Sequence, residues 1–253
     1  MTNLICHRGA LKYAPENTVP AFLKAVELEA DGVEFDVHLT KDKQLVVCHD
    51  YSINETSDGH GKIKDFTLEE LQAFDFGIKF NTEFTGTKIP TLKEVMDIVK
   101  GLKIINIELK AHFECNEELA THVVQELEPY NINNKIIYSS FDHELLKIMK
   151  KIDNNLNIGA LFSATECVTD KQFNNKLKLV LENEFQAIHP HALCTKEEYV
   201  RICHDNGIMV NTWGAVSSNR IQKMLDSGCD SIITNEILLA KCIRERKNGQ
   251  INQ

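Results

Sequence analysis

The chain has 253 residues, of which 43% are hydrophobic, and a formal net charge of −9 at pH 7. This length and apolar content suit a folded protein with a large core and argue against disorder. The acidic balance argues against broad binding of nucleic acid or of an anionic membrane, since both favour basic protein surfaces. An acidic chain that binds an anion must therefore concentrate positive charge locally, through a metal or a few cationic side chains.

Apolar segments predict strands that alternate with helices along most of the chain. The predicted strands are Asn3–His7, Gly32–Leu39, Gln44–His49, Lys103–Leu109, Lys135–Ser139, Asn157–Phe162, Ala187–His189, Ile208–Thr212 and Ser231–Ile233. The predicted helices are Asn17–Ala30, Leu68–Phe74, Thr91–Val99, Glu117–Leu127, His143–Ile152, Lys171–Glu182, Lys196–Asn206, Asn219–Asp226 and Ile237–Arg246. Repeated strand–helix alternation indicates a parallel sheet, and this many units in this length favour an α/β fold of the closed (β/α)8 TIM type.

One stretch, Tyr51–Pro90, breaks the alternation because it is long, contains four glycines and holds a single clear short helix. We interpret it as a small insertion after the third strand, lying over one end of the barrel. No linker or low-complexity segment indicates a second domain, so residues 1–253 are predicted to form one barrel domain.

The eight cysteines include no CxxC pair for zinc or redox chemistry. They are predicted to be buried, reduced thiols of a cytoplasmic protein. No apolar run approaches the roughly 18 residues that span a bilayer, so no stable membrane insertion is expected.

Three carboxylates lie in predicted strands. Glu34 and Asp36 share one face of a strand, because alternate side chains point the same way, and Glu108 ends a later strand. Such carboxylates repel one another unless a cation or a proton joins them. Oxygen-only ligation suits calcium, magnesium or manganese better than zinc. The alternative is that Glu34 and Glu108 cap helices or pair with Lys110.

Two histidines, His7 and His49, also end predicted strands, and the carboxyl ends of barrel strands are where active sites lie. Imidazole titrates near neutral pH, so two such rings beside a metal can divide the work of general base and general acid. A structural role is the alternative for each ring.

Arg8 and Lys110 are the cationic candidates for phosphate binding, and the planar guanidinium of Arg8 suits a phosphate in particular. Alternatively, Arg8 forms a salt bridge with Glu16, and Lys110 pairs with the carboxylates. Trp213, the only tryptophan, ends a late strand and is either a core residue or a wall of the substrate pocket.

These residues lie in segments that together resemble the glycerophosphodiester phosphodiesterase family. The segments are "HRGALKYAPENT", "GVEFDVHLTKD", "LVVCHD" and "INIELK", in this order, with "IPTLKEV", "SSFDHELL" and "GCDSIITNE" as further matching segments. The resemblance extends along the entire chain and rests on several separate signatures.

The resemblance implies a TIM-type barrel with an insertion after the third motif, which hydrolyses a small glycerophosphodiester to glycerol 3-phosphate and an alcohol. It implies a calcium or magnesium ion held by Glu34, Asp36 and Glu108. It also implies that His7 is the base, His49 is the acid, and Arg8 and Lys110 contact the phosphate. Glu16 and Asn17 belong to the "PENT" signature, for which a role in shaping the loop is expected.

One departure from the family concerns the run Trp213-Gly214-Ala215-Val216, where the family commonly has Trp-Thr-Val-Asn. It leaves the catalytic residues intact but puts the alcohol or glycerol pocket in doubt. The head-group alcohol, the choice between calcium and magnesium, the nucleophile (water or a substrate hydroxyl) and the oligomeric state remain open.

Two other function classes remain as alternatives. A related phospholipase or lyase would act on a lipid phosphodiester and need an exposed apolar lip, for which the insertion offers Phe66, Phe74, Phe76, Phe80 and Phe84. A non-catalytic phosphate-binding barrel would be expected to lack a catalytic residue, and none of the core set is missing.

Overall fold

Eight parallel strands close into a barrel in the computed structural model, which describes residues 1–111 and 116–249. The strands are β1 (Asn3–His7), β2 (Gly32–Leu39), β3 (Leu45–Val47), β4 (Ile104–Leu109), β5 (Ile136–Ser140), β6 (Ile158–Phe162), β7 (Ala187–Pro190), β8 (Met209–Trp213) and β9 (Ser231–Thr234). The barrel order is β1-β2-β4-β5-β6-β7-β8-β9, and β9 pairs with β1 to close it. The short β3 lies outside this ring and pairs antiparallel with β2. The predicted (β/α)8 TIM-type fold is confirmed.

Helices follow most of the barrel strands and lie near their predicted positions. They are α1 (Val19–Glu27), α2 (Leu68–Ala73), α3 (Leu92–Val99), α4 (Asn116–Leu127), α5 (His143–Ile152), α6 (Asp170–Glu182), α7 (Glu197–Asp205), α8 (Ser218–Ser227) and α9 (Ile237–Lys247). Helix α1 begins later than predicted because Asn17 has a left-handed backbone, with φ of 56°, which a helix cannot include. Thr91 precedes α3 as its N-cap and forms a capping box with Glu94.

The main core lies between the outer faces of the barrel strands and the inner faces of the helices. On β2, Val33, Phe35 and Val37 are fully buried, and the Phe35 ring meets Phe22 of α1 edge to face at 5.5 Å. Because side chains alternate along a strand, the opposite face of β2 directs Glu34 and Asp36 into the barrel. The packing that buries the apolar residues therefore also fixes where these carboxylates point.

The insertion that follows β3 has a small core of its own. The buried residues of this core are Val46 of β3, Cys48 just after it, and Ile53, Ile63, Leu71, Phe76 and Ile89 of the insertion, with Phe66 and Phe74 packed against them. Of the phenylalanines considered for an apolar lip, Phe76 is buried and Phe66 and Phe74 are partly buried against this core, whereas Phe80 is 44% exposed and contacts Phe84.

Two further expectations concern the chain as a whole. That residues 1–253 form one domain stays a prediction. Among the described residues, no helix combines the length and the apolar character that crossing a bilayer requires.

Candidate active site

Strands β1, β2 and β4 bring three acidic side chains and one histidine together at the carboxyl end of the barrel. The strand register pairs His7 with Glu34 and Asp36 with Glu108, so these side chains occupy neighbouring positions at one end of the barrel. Carboxylate oxygens of Glu34, Asp36 and Glu108 lie within 4.8 Å of one another. We call these three residues the acidic cluster.

Burial and mutual repulsion set the protonation of the acidic cluster. Burial, together with the charges of Asp36 and Glu108, raises the pKa of Glu34 well above its usual value. Burial and the Asp36 charge raise the pKa of Glu108 to about 7. Burial would also raise the pKa of Asp36, but neighbouring positive charges, Lys110 foremost, lower it to about 2. If all three carboxyls were ionised, the cluster would therefore hold more negative charge than its protein partners neutralise.

The acidic cluster has the chemistry of a site for a hard divalent cation. All its candidate ligands are carboxylate oxygens, which calcium and magnesium prefer. The ammonium of Lys110 lies 2.8 Å from Asp36 Oδ1 and 2.5 Å from Glu108 Oε1, so it neutralises part of the charge. Glu34 instead accepts the backbone N–H of Arg8 at 3.0 Å. The predicted alternative, a pairing of Glu108 with Lys110, is thus present within the cluster itself.

His7 lies beside the cluster with a neutral hydrogen-bond partner. Its Nδ1 donates to Oδ1 of Asn235 at 2.7 Å, which leaves a lone pair on Nε2, 3.9 Å from Oε2 of Glu34. Burial and, next, the charge of Arg8 lower the pKa of His7 to about 4. The ring is therefore neutral at pH 7 and can accept a proton at Nε2.

His49 follows β3 and has a charged partner. Its Nδ1 donates to Oδ1 of Asp50 at 2.7 Å. Its main-chain carbonyl lies 3.4 Å from Nε2 of the fully buried His38. A carboxylate bonded to one imidazole nitrogen fixes the tautomer and the orientation of the ring.

Arg8 stands between the cluster and the loop that follows β1. Its Nη1 lies 3.0 Å from Oε1 of Glu16, which is the predicted alternative pairing, and its Nε lies 3.7 Å from Oδ2 of Asp36. Asn17 donates from Nδ2 to the same Asp36 oxygen at 2.8 Å. Both Arg8 and Asn17 have left-handed backbones, with φ of 55° and 56°. A strained backbone of this kind persists where surrounding contacts hold the loop in place. Here the contacts of Glu16 and Asn17, in the "PENT" segment, hold the loop.

Trp213 lies at the carboxyl end of β8, partly exposed. Its ring meets Phe141 edge to face at 5.8 Å and His191 at 4.6 Å, and its Nε1 donates to the carbonyl of His189 at 3.2 Å. The indole is thus part of an aromatic group beside the site rather than of the main core.

The departure at Gly214 has a steric cause. Its φ is 78°, and a Cβ at this position would lie 2.5 Å from Nε2 of His191. The threonine that is common in the family would therefore be strained in its backbone and would collide with the imidazole.

We expect Gly214→Thr to lower the free energy of unfolding by about 2 kcal/mol, because it imposes both the strained backbone and the collision. Urea unfolding would measure this loss. Gly101→Thr is the matched control, since Gly101 has no positive φ and open space where a Cβ would stand. An equal effect at both positions would contradict the steric explanation.

A cavity of about 700 Å³ opens from the site toward α5. His49, Glu108 and Lys110 line it at the catalytic end, and Phe141 and Glu144 line it at the far end. We call it the β5 groove. It gives the site room for a substrate group beyond the phosphate.

Sequence reasoning assigned no role to one residue that the structure places beside His7. Asn235, in the "TNE" segment after β9, reaches His7 only because β9 pairs with β1. Its position just beyond a strand end was the available signal. Among the weaker histidine candidates, His189 is fully buried inside the barrel, and His112 lies outside the described residues.

Comparison with known proteins identifies relatives along nearly the whole chain. The glycerophosphoryl diester phosphodiesterase family matches residues 7–239. A glycerophosphodiester phosphodiesterase from Caldanaerobacter subterraneus subsp. tengcongensis is 37% identical over 236 residues, which cover 93% of this chain and 94% of that protein. A glycerophosphodiester phosphodiesterase from Bacillus altitudinis is 33% identical, over 97% of this chain and 99% of that protein.

Solved structures agree with the fold. A glycerophosphodiester phosphodiesterase from Thermotoga maritima superposes with a TM-score of 0.76 at 30% identity and covers 96% of this chain and 98% of that chain. An Oleispira antarctica phosphodiesterase in complex with the product sn-glycerol-3-phosphate superposes with a TM-score of 0.88 at 24% identity, covering 97% of each chain.

Proposed function

The chain belongs to the glycerophosphoryl diester phosphodiesterase family and is a phosphoric diester hydrolase, and we propose that it works with a divalent cation and two histidines. The products would be glycerol 3-phosphate and a free alcohol. The observation that carries this proposal is the acidic cluster, which is buried at the carboxyl end of the barrel with His7 at its edge and His49 nearby.

Glu34, Asp36 and Glu108 would hold the cation, calcium or magnesium. When bound, such an ion supplies Lewis acidity toward a phosphate oxygen. The raised pKa values of Glu34 and Glu108 support this role, because they mark carboxylates that lack sufficient positive charge nearby.

Arg8 and Lys110 would bind the remaining phosphate oxygens. Both side chains are largely buried against Asp36, and both carry N–H groups that can donate to an anion. Donors fixed in a water-poor site stabilise the charge that develops on phosphate oxygens in the transition state. In this way an acidic protein presents locally positive groups to its substrate.

The two histidines have different partners, and this difference supports a division of roles. His7 bonds to a neutral amide and has a free lone pair on Nε2, which suits a base that takes the proton of the attacking oxygen. His49 bonds to the carboxylate of Asp50, which holds the ring in one orientation and suits an acid that protonates the leaving alkoxide. The attacking oxygen is that of water or of a substrate hydroxyl.

We further propose a cytoplasmic location and a role in the metabolism of lipid-derived glycerophosphodiesters. Support for the location comes from the cysteines: the seven described ones are free thiols, and six of them are buried. The substrate would be a small molecule, in agreement with the product complex of the Oleispira antarctica phosphodiesterase.

Incubation with glycerophosphocholine and calcium or magnesium tests the proposed function. We expect release of glycerol 3-phosphate, loss of turnover by at least about a hundredfold in excess chelator, and recovery when metal is added back. Assays of glycerol 3-phosphate and of choline would follow the reaction. Release of phosphocholine instead, or turnover that is indifferent to the chelator, would contradict the proposal.

A further inference from the structure

We propose that the β5 groove binds the leaving alcohol of the substrate and selects a cationic one, an alkylammonium head group such as choline or ethanolamine. This inference rests on the proposed function and specifies the substrate class of the same site. It is carried by the position of the groove, by its charge and by its aromatic side chains.

The position of the groove indicates which part of the substrate enters it. The groove begins at His49, Glu108 and Lys110, where the phosphate would lie, and extends to Phe141 and Glu144. His49 is the proposed acid, so the oxygen that it protonates lies at the start of the groove. The rest of the leaving alcohol therefore extends into it.

The charge of the groove favours a cation. Besides Glu108, it is lined by the carboxylates of Asp50, which bonds to His49, and of Asp142 and Glu144. Asp142 is fixed in place because its Oδ1 accepts the backbone N–H of Glu144 at 2.9 Å, and its Oδ2 accepts Nδ2 of Asn116 at 2.9 Å. A set of fixed carboxylates attracts an ammonium and repels an anionic alcohol.

Few positive groups within the groove oppose this field, although Lys147 pairs with the exposed carboxylate of Glu144 at 2.7 Å. Among the described residues that line the groove, Lys110 is the only lysine or arginine, and it is paired with Asp36 and Glu108. At the far end of the groove, the lining side chain that could carry a positive charge is that of His143. Its burial lowers its pKa, so the ring stays neutral at pH 7 and donates from Nε2 to the carbonyl of Leu161 at 3.0 Å.

Two aromatic rings line the groove and suit an alkylammonium. Tyr51 and Phe141 are each 45% exposed. Each ring is supported from the protein side, Tyr51 by an edge-to-face contact with His38 at 5.2 Å and Phe141 by one with Trp213 at 5.8 Å. Exposed aromatic faces attract quaternary ammonium groups through the ring quadrupole, and they also cover the methyl groups. An anionic or strongly hydrated alcohol gains neither contact.

Two substrates of equal shape test whether the groove selects the charge of the alcohol rather than its size. The glycerophosphate ester of 3,3-dimethylbutanol matches glycerophosphocholine with carbon in place of nitrogen, so it lacks only the positive charge. We expect kcat/KM for glycerophosphocholine to exceed that for the neutral ester by about tenfold. Equal values would overturn the inference and leave the proposed function standing. Failure to hydrolyse either ester, or any other glycerophosphodiester, would overturn the proposed function and the inference together.

A substitution that reverses one charge in the groove tests whether the groove causes this selectivity. Glu144→Lys should lower the preference for glycerophosphocholine over the neutral ester about threefold. Glu27→Lys is the matched control, because Glu27 and Glu144 are both exposed and each pairs with a lysine three residues away. A preference unchanged in Glu144→Lys, or lowered equally in Glu27→Lys, would contradict the assignment to the groove.

Discussion

Replacing His49 with alanine is expected to reduce kcat by about a thousandfold and to leave the affinity for calcium or magnesium nearly unchanged, since a positioned general acid contributes roughly 10²–10⁴-fold. His49 is partly exposed and contacts Asp50 through its ring, while the acidic cluster lies on the neighbouring strands β2 and β4. Truncation of the ring therefore opens no buried cavity and removes no carboxylate ligand. Steady-state kinetics and calorimetric titration of the metal would measure the two effects separately.

A substrate whose leaving group needs no proton tests whether His49 is the acid. A p-nitrophenyl ester of glycerophosphate releases an anion that is stable at neutral pH and needs no proton. The alanine variant should therefore lose far less activity on this ester than on glycerophosphocholine. The equivalent variant His7→Ala should lose activity on both esters, because the base acts on the attacking oxygen whatever leaves.

Two further variants test whether the effect belongs to the His49–Asp50 pair. Asp50→Asn keeps a partner for Nδ1 but removes its charge, so we expect an intermediate loss of kcat. His60→Ala, at an exposed histidine of the insertion, should have no effect. Loss of metal binding in His49→Ala would show instead that His49 is a ligand or a structural residue.

Sequence reasoning located the main elements of the barrel because short local patterns of apolar and polar residues determine which segments form strands and which side chains are buried. The alternation of Val33, Phe35 and Val37 with Glu34 and Asp36 requires one face to meet the core and the other to meet the barrel interior. That pattern alone places two carboxylates together. The parallel arrangement then places other strand ends, including that of β4, at the same end of the barrel.

The partners of the catalytic candidates could not be predicted in the same way. Asn235 bonds to His7 across 228 positions of sequence, through the closure of β9 on β1, and no local pattern encodes that distance. Likewise, the pairing of Arg8 with Glu16 was foreseen only as an alternative, because the choice depends on the left-handed turn at Arg8. The φ of Gly214 and its contact with His191 also depend on tertiary packing.

Replacing Glu34 with glutamine is expected to weaken metal affinity and activity together, each by at least about a hundredfold, since changes one step removed from a metal already cost 10–100-fold. Glutamine retains an oxygen that can accept the backbone N–H of Arg8, so the local fold should persist. Metal titration and turnover at saturating metal would measure the two losses. Glu16→Gln is the control for metal affinity, which it should leave unchanged, because Glu16 lies outside the acidic cluster and pairs with Arg8.

The stability of the metal-free protein gives a second readout of the same change. Since the folded state raises the pKa of Glu34, that carboxyl favours folding below its ordinary pKa and loses this contribution as pH rises through the raised value. Glutamine does not ionise, so the variant should resemble the wild type at low pH and become the more stable of the two as pH rises. Saturating calcium should reverse the order at neutral pH, because it stabilises only the form that binds it well. Full activity of the wild type in chelator, or an unchanged metal affinity in Glu34→Gln, would remove the cation from the proposed mechanism.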